Sequence, residues 1–214
     1  RIAAMDVYDG TTFGMSTKRG DGHTGYIPVE STIPGRAEGD SLVTVTTNGL
    51  SGPWVPVLGN ASEIAFTGAN SAAQKDGLYV DTWANAALTT GPAGTMTYNV
   101  RTSFAEPVRD EDLASLSVVP LSTTDKNVPE GLATKVSEIT QNASTALSAA
   151  RAIEHYLANN GYYLNENTQF SRPGVRTDRL ERMLSSDDQL IGDDQQYSAL
   201  MALMLHQLGM NARV

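Results

Sequence analysis

The chain contains no cysteine, which excludes disulfides, thiolate metal sites and a thiol nucleophile of its own. That absence fits an oxidising or a reducing compartment equally well. No run of about 18 apolar residues occurs, so nothing within these 214 residues spans a bilayer as a helix. Blocks of positive charge are missing as well. Lys and Arg are scattered and the formal net charge is −9, which argues against nucleic acid or an anionic membrane surface as the main partner, because nothing clusters to neutralise phosphates. Aromatics are few, and Trp54, Trp83 and the tyrosines read as core or edge packing before they read as a carbohydrate-stacking platform. The start at Arg1, with neither an initiator Met nor a signal-peptide pattern, reads as an excised or processed piece.

What is present is ordinary globular material. With 40% hydrophobic and 18% charged residues, the chain has enough apolar surface to fold, and its length favours two modest domains. From Arg1 to about Pro120, short β-branched or alternating runs are broken by Gly, Pro, Asn and Asp, the texture of antiparallel strands and turns. Ile2 to Tyr8 stops at Asp9-Gly10, and Leu42 to Thr47 alternates and stops at Asn48-Gly49. Ala61 to Thr67, Gly77 to Thr82 and Gly94 to Phe104 are further strands, the last with Tyr98, Val100, Thr102 and Phe104 on one face. Together they predict a β-sandwich-like domain.

The texture turns helical near Ser122 to Asp125, which places a boundary between a β-rich domain, 1–124, and a second domain, 125–214. Pro129 and Glu130 mark a helix start ahead of Leu132, Val136 and Ile139. Thr145 is an N-cap for a helix carrying Leu147, Ala150, Ile153, Tyr156 and Leu157, which stops at Asn160-Gly161. A shorter helix with Leu180, Met183 and Leu184 follows Thr177-Asp178. The fold class is therefore α+β.

The stretch from Leu190 to Ser198 opens the last helix. Tyr197, Leu200, Met201, Met204, Leu205 and Leu208 recur at helical spacing, widened by Ala199, Ala202 and Leu203, as in a central helix. Gly209 ends it, and Asn211 to Val214 begin something extended. At its start Gly192 permits a sharp entry turn, and Asp193 and Asp194 lie where unpaired backbone N–H groups and the helix dipole favour negative charge. The acids Asp187, Asp188, Asp193 and Asp194 do not follow an EF-hand spacing and read as solvated loop charge, so no metal is expected.

The segment Gly192-Asp193-Asp194-Gln195-Gln196-Tyr197-Ser198, with Ala202-Leu203 and the closing Leu208-Gly209-Met210-Asn211-Ala212-Arg213-Val214, resembles the core of bacterial transglutaminase-like proteins. Tyr8-Asp9-Gly10 before Phe13, and Gly52 to Pro56, resemble the β-domain that precedes such a core in large membrane proteins of that family. The resemblance implies an N-terminal antiparallel β-sandwich-like domain followed by the helical half of a transglutaminase-like, papain-like core.

It also implies a Cys, His, Asp triad acting through a thioester, and here Asp194 stands where the family carries its cysteine. A carboxylate is a poor nucleophile towards an amide. No catalytic residue is assigned, no cofactor is expected, and the surroundings of Gly192, Asp193, Asp194 and Gln195 are the candidate binding pocket. Of the histidines, His23, His155 and His206, the last lies on the helix of Asp194 but twelve residues on, roughly 18 Å away, and all three read as surface or structural. The expected function is a catalytically inactive ectodomain, extracytoplasmic and membrane-anchored through segments outside this chain, that binds or scaffolds at the bacterial cell envelope, with a cell-wall peptide or an envelope protein as partner. Two alternatives stand beside it: an active transglutaminase or peptidase whose remaining residues lie beyond Val214, and a structural spacer.

Overall fold

The structure, a computed structural model, describes residues 4–15, 25–113, 115, 117–118, 125–164, 172–185 and 190–214. In chain order its elements are β1 (Val7–Tyr8), β2 (Phe13–Gly14), β3 (Ile27–Pro28), β4 (Ser41–Asn48), β5 (Trp54–Val55), β6 (Asn60–Phe66), α1 (Ser71–Asp76), β7 (Leu78–Asp81), β8 (Ala86–Thr89), β9 (Thr95–Ser103), α2 (Asp110–Leu113), α3 (Leu132–Thr140), α4 (Ala146–Asn160), β10 (Gly161–Tyr163), α5 (Thr177–Leu184), β11 (Leu190–Gly192) and α6 (Asp194–Gln207). Contacts divide the chain into two compact units, Arg1–Ala4 with Ser16–Pro107, and Met5–Met15 with Val108–Val214.

The first unit is built on two antiparallel sheets, ordered β4-β9-β6 and β3-β7-β8-β5. β4 is rich in β-branched residues and stops at Asn48-Gly49, where Gly49 takes φ +70°. β9 is the central strand of its sheet, with Val45 opposite Tyr98 on one side and Ile64 opposite Val100 on the other. Its alternate residues Met96, Tyr98, Val100 and Thr102 are buried as the period-two pattern requires. Phe104, expected on the same face, lies past the strand end and is exposed. Ile64, Tyr98 and Val100 from one sheet share a core with Val55, Leu78, Val80 and Ala87 from the other, which makes the unit a sandwich. The buried Tyr98 hydroxyl donates to the Pro56 carbonyl at 2.7 Å, and burial pushes its pKa up.

Three strands and one helix of this unit were not expected from sequence. β3 and β5 span two residues each, and β8 reads Ala86-Ala87-Leu88-Thr89, too short or too alanine-rich to carry a strand signal. α1 is held by tertiary contacts: the buried Gln74 side-chain amide donates to the Pro92 carbonyl at 2.6 Å, and the Gln74 backbone carbonyl accepts the Thr89 hydroxyl at 2.9 Å.

In the second unit the predicted helices appear, α4 with its predicted Thr145 cap, while α3 and α5 start at Gly131 and Arg176 without a side-chain cap. The Thr145 hydroxyl accepts the Ser148 N–H and the Ser148 hydroxyl accepts the Thr145 N–H, a reciprocal capping box. Leu132, Val136, Ile153, Leu180, Met183 and Leu184 are buried in one core with Ala199, Leu200, Leu203 and Met204 of α6. Asn160-Gly161 ends α4, although Gly161 is extended and not left-handed. A Cβ there would lie 2.2 Å from the Tyr197 hydroxyl, so close approach is what demands glycine.

The division differs from the boundary expected after residue 124. Met5–Met15 belongs with the helices, and so does Val108 onward. The reason is burial: Tyr8 and Phe13, read as the opening of the β-rich domain, sit in the helical core, and the Tyr8 hydroxyl donates to the Val175 carbonyl at 2.6 Å. The Asp9 carboxylate accepts the N–H groups of Thr11 and Thr12 at 2.7 and 2.8 Å, closing the β1–β2 turn. Truncating Ile153 to Ala should lower stability by about 2–5 kcal/mol, read as a lower urea midpoint.

Candidate functional site

Strand β11 enters α6 through Gly192, which is buried; a Cβ there would meet Met183 Cε at 2.6 Å and Gln196 Oε1 at 2.8 Å. Gly192 is absent from the positive-φ residues, so its glycine serves contact distance and not the sharp turn expected from sequence. Asp193 is the N-cap: its Oδ1 accepts the Gln196 N–H at 3.0 Å, and Gln196 Oε1 accepts the Asp193 N–H at 3.1 Å. Asp194 is the first residue of the helix and is exposed, as is Gln195. Among the described residues the Asp194 carboxylate has no hydrogen-bond or ion-pair partner. Of the two acids it is therefore Asp193 that satisfies a backbone N–H, while Asp194 faces the helix dipole alone.

Gln196 is the residue that sequence reasoning passed over. It is completely buried, and its Nε2 donates to the carbonyls of Arg172 and Gly174 at 2.6 and 2.9 Å. Its Oε1, besides capping the helix, accepts from the buried Arg179 guanidinium at 3.3 Å, whose Nε donates to the Arg172 carbonyl at 3.1 Å. All the bonding capacity of the amide is used. The sequence cue was there: a Gln three residues after an N-cap Asp is a capping-box signature.

One turn on, the Tyr197 hydroxyl donates to the Leu190 carbonyl at 2.5 Å, and burial raises its pKa. Tyr197, Ser198 and Met201 form one wall of a cleft of about 690 Å³, with Leu157 and Ala158 of α4 and the exposed Tyr163 of β10 on the others. Asp194 precedes Tyr197 and Ser198 by three and four residues, so it lies on the same helical stripe. None of the four residues expected to surround a pocket, Gly192, Asp193, Asp194 and Gln195, lines the cleft.

His206 is at the other end of α6 and is buried. Its Nδ1 lies 2.7 Å from Asp125 Oδ2 and its Nε2 lies 2.8 Å from the Ala212 carbonyl oxygen. Two acceptors facing the two ring nitrogens favour the protonated ring, in which both nitrogens donate. Burial alone would lower its pKa, but the hydrogen bonds to Asp125 and Ala212 and the attraction of Asp125 and Asp6 outweigh burial and raise it. Asp125 Oδ1 in turn accepts the Tyr8 N–H at 2.8 Å. His206 is buried with a partner at each ring nitrogen, and Asp125, read only as part of a boundary, is its buried partner. His155 is exposed on α4. His23, Asp187 and Asp188 lie outside the described residues, and among those described no cluster of three His, Asp or Glu side chains could hold a metal ion.

The helix start, its buried glutamine and the closing Leu208 to Val214 carry the family question. Residues 133–214 match the family described as the transglutaminase-like superfamily. Over those residues, less than half of the chain, the sequence is similar to that superfamily. Among solved structures the chain is similar to the periplasmic domain of TgpA from Pseudomonas aeruginosa bound to ethylmercury, at 13% identity and a TM-score of 0.59, covering 100% of this chain and 67% of that one. At that identity the likeness concerns the fold alone, an α+β chain with antiparallel sheets. A search of the curated proteins found no match.

Two outcomes test this geometry. Gln196→Ala leaves buried donors and acceptors unpaired and should destabilise the chain by more than about 1–3 kcal/mol, whereas Gln195→Ala should change stability by less than about 0.5 kcal/mol. For His206 the folded pKa lies above the unfolded value of 6.5, so its contribution is complete below that value and is lost as pH rises through the folded one. Thermal stability should fall across that alkaline-going window, and His206→Asn should be less stable at acid pH and lose the slope.

Proposed function

We propose that this chain is a catalytically inactive transglutaminase-like ectodomain, extracytoplasmic and part of a membrane-anchored protein, that works by binding or scaffolding at the bacterial cell envelope. The observation that carries the reading is at the start of α6, where an exposed carboxylate, Asp194, occupies the place at which the family resemblance expects a thiolate. The helix dipole that would stabilise a thiolate there stabilises the carboxylate equally, but attack on an amide would have to form a mixed anhydride, a step uphill from the thioester route. His206, which shares the helix, is held at its far end with both ring nitrogens occupied. The periplasmic origin of the TgpA domain supports an extracytoplasmic setting, and no helix among the described residues is long and apolar enough to cross a membrane.

Binding is favoured over a pure spacer by the open cleft beside Tyr197 and Ser198, whose walls are mostly apolar, with an aromatic edge at Tyr163 and the charged pair Arg151 and Glu154, a lining of the kind that takes ligands. A cell-wall peptide or an envelope protein is the class of partner. Incubated with a glutamine-containing acyl donor and a fluorescent amine, the natural sequence should incorporate nothing. Turnover by the natural sequence defeats the proposal. A pulldown with peptidoglycan fragments should recover the chain and lose it on Met201→Glu, which closes the cleft with a charge; no recovery favours the spacer.

A further inference from the structure

We propose that the outer edge of β4 is a docking edge for a second copy of this chain, the two β4 strands pairing antiparallel about a two-fold axis. An uncovered strand edge offers a row of unpaired N–H and C=O groups, and proteins normally guard it with short strands, prolines, bulges or charges. The sandwich guards its other edges in those ways. β3 is two residues long and ends in Pro28. β5 is also two residues long and lies between Pro53 and Pro56. β6 carries a bulge between Ala61 and Glu63, and its outer side is covered where the Ile33 N–H donates to the Ser62 carbonyl and the Ile64 N–H to the Ser31 carbonyl, at 2.8 and 2.9 Å.

β4 has none of these devices. Its eight residues, Ser41 to Asn48, include no proline and no charge, and their pairing with β9 is free of register shifts. Among the described residues β4 pairs with β9 alone, and its remaining hydrogen bonds run to β9 side chains, to the Met96 N–H or to the adjoining Asp40.

The occupant follows from charge and side-chain pattern. On a chain of net charge −9, two copies repel over most of their surface, and an uncharged strand is where that repulsion is least. Antiparallel pairing sets residues of the same face opposite each other. Centring the axis on Thr44 places it against the partner's Thr44, sets Val43 and Val45 against the partner's Val45 and Val43, and puts Asp40 against the partner's Asn48, with no like charges facing. Val43 and Val45 are half-buried on the inward face, so the added strand completes their cover. The pairing uses the one long unguarded edge of the sandwich among the described residues, and the symmetry closes it, so association stops at two copies. The interface is narrow, and the dimer is correspondingly weak and concentration-dependent.

Sedimentation of the full chain over a range of concentrations should show a monomer–dimer equilibrium. Thr44→Glu and Thr44→Lys each place like charges face to face and should weaken dimerisation by about fivefold or more, while an equimolar mixture of the two should restore it. Because the chain lacks cysteine, Thr44→Cys treated with diamide should give a disulfide-linked dimer, and this near-isosteric variant decides the matter if the charged ones fold poorly. A chain that stays monomeric up to its solubility limit overturns the proposal, as does a dimer that Thr44→Glu leaves unchanged.

Discussion

A helix sunk in a core must have the polar groups at its ends satisfied, because an unpaired buried amide costs as much as a lost hydrogen bond and repays nothing. α6 meets that constraint twice. At its start Gln196 spends its whole amide on the helix cap, the guanidinium of Arg179 and the backbone of Arg172 and Gly174. Near its end the buried His206 bridges Asp125 and the Ala212 carbonyl. Between them Leu200, Leu203 and Met204 make the apolar contacts. Remove either polar anchor and a buried group is left without a partner, which is why single substitutions there outweigh those on the exposed stripe.

The separation of these anchors from Asp194 gives the site its character. The capping hydrogen bonds at the helix start belong to Asp193 and Gln196, leaving Asp194 exposed and uncommitted one turn before the cleft-lining Tyr197 and Ser198. An architecture of this sort keeps its shape whatever atom stands at that position. A substitution at Asp194 would therefore leave the fold intact, since its exposed side chain is not part of the core.

Much of the helical part was legible in the sequence because its signals are local: the Thr145 cap, the Leu180, Met183 and Leu184 face, and the Tyr197 to Leu208 periodicity all recur as observed elements. β4, β6 and β9 were legible for the same reason, through alternation and an Asn-Gly stop. What escaped was set at a distance. β8 is a strand because β7 and β5 flank it, not because alanines prefer one. Asp125 gains its meaning from His206, 81 residues away, and Tyr8 from Val175, 167 residues away. At the site the helix start was readable, but the division of labour between Asp193 and Asp194 was not, since two adjacent acids look alike until backbone angles assign one of them as the cap.

The hairpin of Val7 to Gly14 joins the helices across the whole intervening sandwich sequence, and Met5 exchanges two backbone hydrogen bonds of 2.9 Å with Val214. The helical unit is thus discontinuous in sequence, with its first strand pair made long before its last residues leave the ribosome. Such a unit cannot finish folding in the order of synthesis: Tyr8 and Phe13 must wait, apolar and uncovered, while the β unit folds between them and their eventual neighbours. Loop closure over so long a span slows that final step, and a fragment starting at residue 125 would be missing two aromatic pieces of its own interior.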